Sequence, residues 1–235
     1  MQICLLRVGI DTGCGGILGP LFRDGTFEYI PIPDEKQNGR RYGEITGKNT
    51  KEPLWKFFPK TRQKNIINVT VHYDPEFDTF TYGDPTRPKR SLRRLQQEDL
   101  LVFYAGLEPY DFEDDNKRRL YIIGYFVIQD IGVSTDFSKR QLSDIFGNNF
   151  HVKYRANEQN CILVKGTGES RLLHYAYPIS DVGVDRGGHK LCVLSGDMKK
   201  IFGSFTKLSA IQRSTPRWVS SEKCETADEW IRKLR

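Results

Sequence analysis

Long apolar runs are missing from this chain of 235 residues. A helix that crosses a membrane needs roughly 18 or more consecutive apolar residues, and no segment approaches that length. The first residues also lack the basic start and the cleavage site of a secretory signal. We therefore expect a cytoplasmic protein, or a nuclear one in a host with a nucleus, and no membrane partner.

Paired cysteines and closely spaced histidines are missing as well. The five cysteines, at positions 4, 14, 161, 192 and 224, are widely separated and form no CxxC motif. This pattern indicates free thiols rather than a disulfide framework or a thiolate zinc site. The four histidines show neither HxxxH nor HxH spacing. The sequence therefore predicts no metal site and no cofactor.

A glycine-rich stretch lacks the features of the common phosphate-binding loops. Residues 3–10 are short, apolar and β-rich, which predicts a buried strand. Residues 11–20, DTGCGGILGP, follow with GxGxxxG spacing, and neither GK[ST] nor a helix comes next. This excludes the usual Rossmann and P-loop patterns. Two interpretations stay open: a tight connection at a sheet edge, or a loop whose exposed amides and Asp11 line a ligand pocket.

The remaining pattern predicts a single composite α+β domain spanning residues 1–235, because no repeat, low-complexity tract or linker interrupts it. An Asp24-Gly25 turn predicts a hairpin within residues 1–34, and residues 34–64 read as a long polar loop. Strands are predicted at 68–73, 100–106, 120–128 and 162–165, and helices at 91–97, 138–146, 197–202 and 227–234.

Positive charge is concentrated on particular segments. The net charge is +6. Basic residues cluster at 87–94, and residues 198–221 hold five of them with no acid and with interleaved aromatics. Such segments suit a surface that follows a phosphate backbone. The residues assigned to phosphate binding are Arg90, Arg93, Arg94, Arg171 and Arg217.

Two predicted strands carry a first resemblance to known proteins. The acidic turn Glu98-Asp99 leads into LLVFYAG at 100–106, and YIIGYFVI at 121–128 follows the charged connection 108–118. An ordinary buried hairpin would also give this pattern. It resembles the core hairpin of PUA-like barrels, the group that holds the EVE, ASCH and YTH readers. The resemblance implies a small mixed or antiparallel β-barrel with its core hairpin in residues 98–130, elaborated by an N-terminal strand and hairpin and by peripheral helices.

A second resemblance covers almost the whole chain. It is carried by LLRVGIDTGCGGILGPLFRDGTFEYIPIPD at 5–34, YGDPT at 82–86, DLLVFYAGL at 99–107, YIIGYFVI at 121–128, ILVKG at 162–166 and IQRSTPRWV at 211–219. These strings resemble the third nucleotide modification associated domain family. Members of that family are associated with systems that make or handle modified nucleotides, so the resemblance implies a base-modification or defence context and no particular reaction.

We expect a module that recognises a modified or flipped-out nucleotide in nucleic acid, DNA or RNA. A pocket for an unstacked base needs aromatic faces and polar groups for the base edge. Tyr104 is favoured because it ends a predicted strand, and Trp218 because it lies in a basic segment without acids. The nucleotide-binding candidates are Asp11, Thr12, Gly13, Tyr104, Gln212, Arg213 and Trp218.

Two other functions stay open. One is an enzyme that acts on a modified base or nucleotide, such as a glycosylase, hydrolase or transferase. Asp11 is its catalytic candidate, with Asp34, Asp74 or His72 as neighbours, because a carboxylate at a sheet edge is readily placed against a ligand. The other is an interaction subunit with protein partners in a modification or defence complex.

Overall fold

The fold is a mixed α+β structure, seen in a computed structural model that describes residues 1–34, 36, 38–113, 119–155, 157–158, 160–185, 187–205, 210–212 and 214–235. The strands are Ile3–Arg7 (β1), Gly19–Leu21 (β2), Ile32–Pro33 (β3), Val71–His72 (β4), Thr81–Asp84 (β5), Leu100–Pro109 (β6), Arg119–Val133 (β7), Ile162–Gly166 (β8), Arg171–Pro178 (β9), Ser180–Val184 (β10), Lys190–Leu194 (β11) and Arg217–Trp218 (β12). The α-helices are Lys60–Ile66 (α1), Lys139–Phe146 (α2), Phe150–Tyr154 (α3), Gly196–Phe202 (α4) and Cys224–Ile231 (α5). None of the helices in these ranges is long and apolar enough to cross a membrane.

Within the ranges that the structure describes, eight strands form one sheet that is mostly antiparallel. Its path runs β12-β1-β6-β7-β8-β5, while β2 also pairs with β6 and β9 also pairs with β7. β1 and β2 run parallel to β6, and the other pairings of the sheet are antiparallel. β6 and the first two thirds of β7 are buried on both faces, as continuous apolar runs in central strands require.

The predicted pairing of residues 100–105 with residues 120–128 is confirmed. β6 and β7 are antiparallel neighbours with Leu100 opposite Val127, and the register shifts after Phe103. Their connection is exposed at Tyr110, and its residues 114–118 lie outside the described ranges.

The expected α+β class is confirmed, but a closed barrel is not seen. In the described part of the chain the strand pairings form an open path with β12 at one end and β5 at the other. The barrel implied by the PUA-like resemblance is therefore not supported by the observed pairings.

Several predicted elements have different bounds from those expected. The strand expected at 68–73 is reduced to the two residues of β4, which pair with the two residues of β3. Pro31 and Pro33 flank Ile32 and have no N–H to donate, so they limit this ladder. The helix expected at 91–97 is a 3-10 helix, Arg87–Arg94, with a proline in its first turn.

Among the described residues, three groups of buried apolar side chains hold these elements together. The largest joins the central strands to both ends of the described chain, from Ile3 to Leu234. The second lies under the glycine-rich stretch and includes Ile10 and Ile66. The third packs Phe146 of α2 on β8. The second group brings residues 11–20, the β3–β4 pair and α1 together, and a cavity borders these segments.

Candidate functional site: a surface cavity and a buried histidine cluster

A cavity of about 670 Å³ lies beside the glycine-rich stretch. Its walls come from the loop after β1, the end of β3 and the region of α1. The lining residues are Gly13, Cys14, Gly15, Pro33, Asp34, Arg41, Asn65, Asn68 and Val69. Small-molecule sites are typically about 300–1,000 Å³ in volume. The cavity is therefore large enough for a nucleotide.

Local backbone geometry explains why glycine occupies this wall. Gly15 has φ of +95°, and an added Cβ would lie 2.4 Å from side-chain atoms of Ile10. Both the positive φ and the close approach exclude larger residues. The loop can therefore fold tightly over the buried Ile10 and leave its outer side on the cavity.

Asp11 holds this loop together. Its Oδ1 accepts hydrogen bonds from the amides of Gly13, at 2.8 Å, and Cys14, at 2.7 Å. Its Oδ2 lies 3.3 Å from the guanidinium of Arg7. A bound phosphate would need free amides of this kind. Because the amides of Gly13 and Cys14 already donate to Asp11, they are occupied by a side chain of the loop itself and are not offered to a phosphate.

Tyr104 and Trp218, expected as walls of this cavity, do not line it. Tyr104 is fully buried, and its hydroxyl donates to the carbonyl of Ile211 at 2.8 Å. Burial raises the pKa of the Tyr104 phenol to about 12. Trp218 of β12 lies opposite Cys4 of β1, and the guanidinium of Arg94 lies 4.4 Å from the centroid of the Trp218 ring. The difference arises because β6 continues to Pro109, so that Tyr104 is an interior residue of a central strand.

The other nucleotide-binding candidates are scattered. Thr12 is exposed next to Gly13 on the cavity wall. The side chain of Gln212 accepts from the amide of Cys192 at 3.1 Å, away from the cavity lining. Arg213 lies outside the described residues.

The arginines assigned to phosphate fall into two groups. Arg90, Arg93 and Arg94 are exposed together on the 3-10 helix. Arg171 is exposed on β9, with its guanidinium 5.6 Å from the ring centroid of Tyr125. Arg217 is directed inward, since its Nε is buried and has no hydrogen-bond partner within the described ranges. The helix therefore presents the densest exposed positive charge among these candidates.

A second group of ionisable side chains lies where β4 and α3 meet. The Nε2 atoms of His72 and His151 are 3.1 Å apart. Oδ2 of Asp74 lies 3.6 Å from Nε2 of His151, and these two side chains are 2% and 5% exposed. Nδ1 of His151 lies 2.7 Å from Oε2 of Glu158. We call His72, Asp74 and His151 the histidine cluster.

Burial shifts the titration of this cluster. It lowers the pKa of His72 to about 4, with the neighbouring His151 as a second cause. It raises the pKa of Asp74 well above the ordinary range, although the Gly83 amide donates to Oδ2 at 2.8 Å. Groups with such shifts are common at functional sites.

Sequence reasoning missed the histidine cluster. It placed His72 and Asp74 near Asp11 as neighbours, but it connected neither residue with His151, which lies 79 positions beyond His72. The two-residue spacing of His72 and Asp74 next to a strand was the available signal. The third member comes from a different element, so no local motif reveals it.

The fold and the cavity define a mixed α+β protein with a cavity of nucleotide size, lined by both polar and apolar residues. Comparison with known families matches residues 2–230 to the family described as nucleotide modification associated domain 3. The chain belongs to this family, and the resemblance carried by its sequence strings is confirmed. The comparisons with curated proteins and with solved structures find no match. Membership indicates a role in nucleotide modification systems.

Proposed function

We propose that this protein recognises a modified or flipped-out nucleotide of a nucleic acid and that the base enters the cavity beside residues 13–15. The observation that carries the proposal is the cavity of about 670 Å³, whose lining combines polar side chains with apolar surface. The family supplies the nucleotide context. An extruded base needs a pocket of this kind, with groups that read its hydrogen-bonding edge.

Two amide side chains suit the reading of a base edge. Asn65 and Asn68 are exposed at the end of α1 and both line the cavity. Each carboxamide offers a donor and an acceptor, the combination that pairs with a base in two hydrogen bonds. Pro33 and Val69 add apolar surface for the face of the base.

Charged groups complete the lining. Arg41 is exposed at the cavity and can contact a phosphate without reading sequence. Asp34 is 10% exposed and lies 2.5 Å from the guanidinium of Arg155. Because that carboxylate is already paired, it repels a nucleotide phosphate less than a free one would.

The test measures binding of oligonucleotides that carry plain, methylated or hydroxymethylated bases, in single-stranded and duplex form, by fluorescence anisotropy. We expect the wild-type protein to prefer one modified base. The double variant Asn65→Ala/Asn68→Ala should lose this preference by about tenfold or more, because a two-bond contact to a base edge contributes about 1–3 kcal/mol of discrimination.

The matched control is Asn148→Ala, an exposed asparagine outside this cavity, which should keep the preference. Equal binding of all oligonucleotides by the wild-type protein, or an unchanged preference in the double variant, would overturn the proposal. Chromatography of the oligonucleotides after incubation separates recognition from catalysis. An abasic site or an altered base would establish the enzyme instead.

A further inference from the structure

We infer that His72, Asp74 and His151 form a binding site for a divalent transition metal ion, with Glu158 orienting His151. This site is separate from the proposed nucleotide cavity, and its test does not depend on oligonucleotide binding. Four observations support the inference: the spacing of the donor atoms, an unpartnered carboxylate oxygen, a supporting carboxylate and the chemistry of the donor set.

The donor atoms are close enough together for one ion to bind them after a small movement of the side chains. The three side chains each offer a ligand atom, and these atoms lie within 4.8 Å of one another. With metal–ligand bonds of about 2.0–2.2 Å, two ligands of one ion lie roughly 3–4 Å apart. The distance between the Nε2 atoms of His72 and His151, 3.1 Å, and that from Nε2 of His151 to Oδ2 of Asp74, 3.6 Å, fall in this range. The widest spacing of up to 4.8 Å must shorten by roughly 1 Å when an ion binds.

A buried oxygen atom lacks a partner at this place. Oδ1 of Asp74 is buried and finds no hydrogen-bond partner among the residues that the structure describes, while the side chain as a whole is 2% exposed. Burial of a carboxylate oxygen without a partner is costly. Two buried cationic side chains of this region already have carboxylate partners, since Lys89 pairs with Asp84 and Arg155 with Asp34. A metal cation would satisfy Asp74.

Glu158 supports the cluster in the way that metal-binding histidines usually require. Its Oε2 lies 2.7 Å from Nδ1 of His151. A proton on Nδ1 that is donated to this carboxylate leaves the lone pair of Nε2 for a metal, and such partners fix the tautomer and the ring orientation. The ring of Phe150 lies 4.2 Å from that of His72, centroid to centroid, and holds the second imidazole in place.

The donor set selects the class of metal. Two imidazoles and one carboxylate suit Zn²⁺, Fe²⁺ or Co²⁺, whereas Mg²⁺ and Ca²⁺ favour oxygen ligands. Three protein ligands leave a coordination position for water or another ligand. His151 and Glu158 also line a cavity of about 210 Å³. The site therefore has the ligand number of a reactive metal centre rather than of a closed structural one.

The test uses the full chain after dialysis against a chelator, titrated with Co²⁺ by visible absorption and with Zn²⁺ by calorimetry. We expect one ion per chain and a rise in melting temperature with Zn²⁺, because an ion that binds the folded state stabilises it. His72→Gln and His151→Gln should abolish binding. Glu158→Gln should weaken it about 10–100-fold, the usual effect of losing such a supporting group.

The matched controls are His174→Gln and His189→Gln, which change exposed histidines and should bind like the wild type. Circular dichroism checks the fold of each variant. If the buried variants do not fold, the partly exposed Glu158→Gln and X-ray absorption of the zinc-loaded wild type give the answer. No binding by the wild type, unchanged affinity in a folded cluster variant or in Glu158→Gln, or sulfur ligation of the zinc would overturn the inference.

Discussion

A carboxylate at the start of a glycine-rich loop can stabilise the loop or bind a ligand, and the contacts of Asp11 distinguish these two roles. Its two amide donors and the nearby Arg7 guanidinium make it an internal anion for the loop. A carboxylate with three such partners contributes to folding and leaves little capacity for a base edge. The interpretation of residues 11–20 as a tight connection is favoured by these contacts.

We predict that Asp11→Asn lowers the stability of the fold and leaves oligonucleotide preference unchanged. The amide loses the charge that strengthens two hydrogen bonds and the ion pair, at a cost of about 1–2 kcal/mol, and the melting temperature should fall by a few degrees. Asp181→Asn, an exposed residue of β10, is the control. An unchanged melting temperature together with lost preference would show instead that Asp11 faces the ligand.

We also predict that Tyr104→Phe affects stability alone. The hydroxyl that donates to the Ile211 carbonyl is lost, and an unsatisfied buried acceptor costs about 1–3 kcal/mol. Urea unfolding measures this loss, and the affinity for every oligonucleotide should stay at the wild-type value. Tyr175→Phe, at a ring that is 43% exposed, should change neither. Weaker oligonucleotide binding by a folded Tyr104→Phe variant would support the nucleotide-binding role that the sequence predicts for Tyr104.

At the scale of elements, the 3-10 helix Arg87–Arg94 separates buried from exposed side chains by its period of three. Lys89 and Leu92 are buried, and Leu95, three positions further, is buried as well. Side chains at i and i+3 eclipse in such a helix, which aligns Arg90 with Arg93 on the outer side. The stacking of Arg94 on Trp218 widens this basic surface.

We predict that replacing Arg90, Arg93 and Arg94 by glutamine weakens binding of any oligonucleotide and flattens its salt dependence. Each lost phosphate contact reduces the slope of log K against log salt by about 0.9 on duplex and about 0.7 on single strands. The control replaces three other exposed basic residues, Lys139, Arg140 and Lys233, by glutamine and so removes the same number of positive charges. Equal slopes in the two triple variants would mean that the helix is an ordinary solvated surface.

The elements that the sequence predicts well are those encoded by a continuous stretch of residues, such as an uninterrupted apolar run. The sequence predicts β6 and β7 because their apolar runs are long and uninterrupted. The end of β6 was misplaced, because Leu107 to Pro109 extend the strand by pairing with β2, a contact invisible in the local pattern.

The candidate site is less predictable for the same reason. The sequence predicts Gly13 as a binding residue, but Asn65 follows the predicted loop 34–64 and Asn68 begins the predicted strand 68–73, so neither is identified as part of a cavity. The histidine cluster joins β4 and the residues just after it to α3. A functional site of this kind depends on which distant segments the fold brings together, and single-sequence patterns do not contain that information.

At the scale of the whole molecule, the hydrophobic groups bear on the expectation of one composite domain. Trp55 packs against the second group, while Trp230 packs against the largest one. If the chain is one cooperative unit, both groups unfold together, as small single domains usually do.

We predict that two single-tryptophan variants report the same unfolding event. Trp218→Phe/Trp230→Phe keeps Trp55, and Trp55→Phe/Trp218→Phe keeps Trp230. In urea, the fluorescence midpoint of each variant should coincide with its own far-UV circular dichroism midpoint. Because both midpoints are measured on the same variant, any destabilisation by the substitutions affects them equally. A fluorescence transition that precedes the dichroism transition in either variant would divide the chain into separately unfolding parts.

The position of β1 between β12 and β6 also has a consequence for biosynthesis. Leu5 lies opposite Val102 on one side and Arg217 on the other, so this strand is synthesised long before either of its partners. Strand pairings that span such distances make folding slow. On the ribosome the apolar β1 has no strand partner until β6 has been made, and the finished sheet forms only after translation has passed β12. During that interval β1 is an unpaired apolar strand, the kind of surface that makes an incomplete chain prone to aggregation.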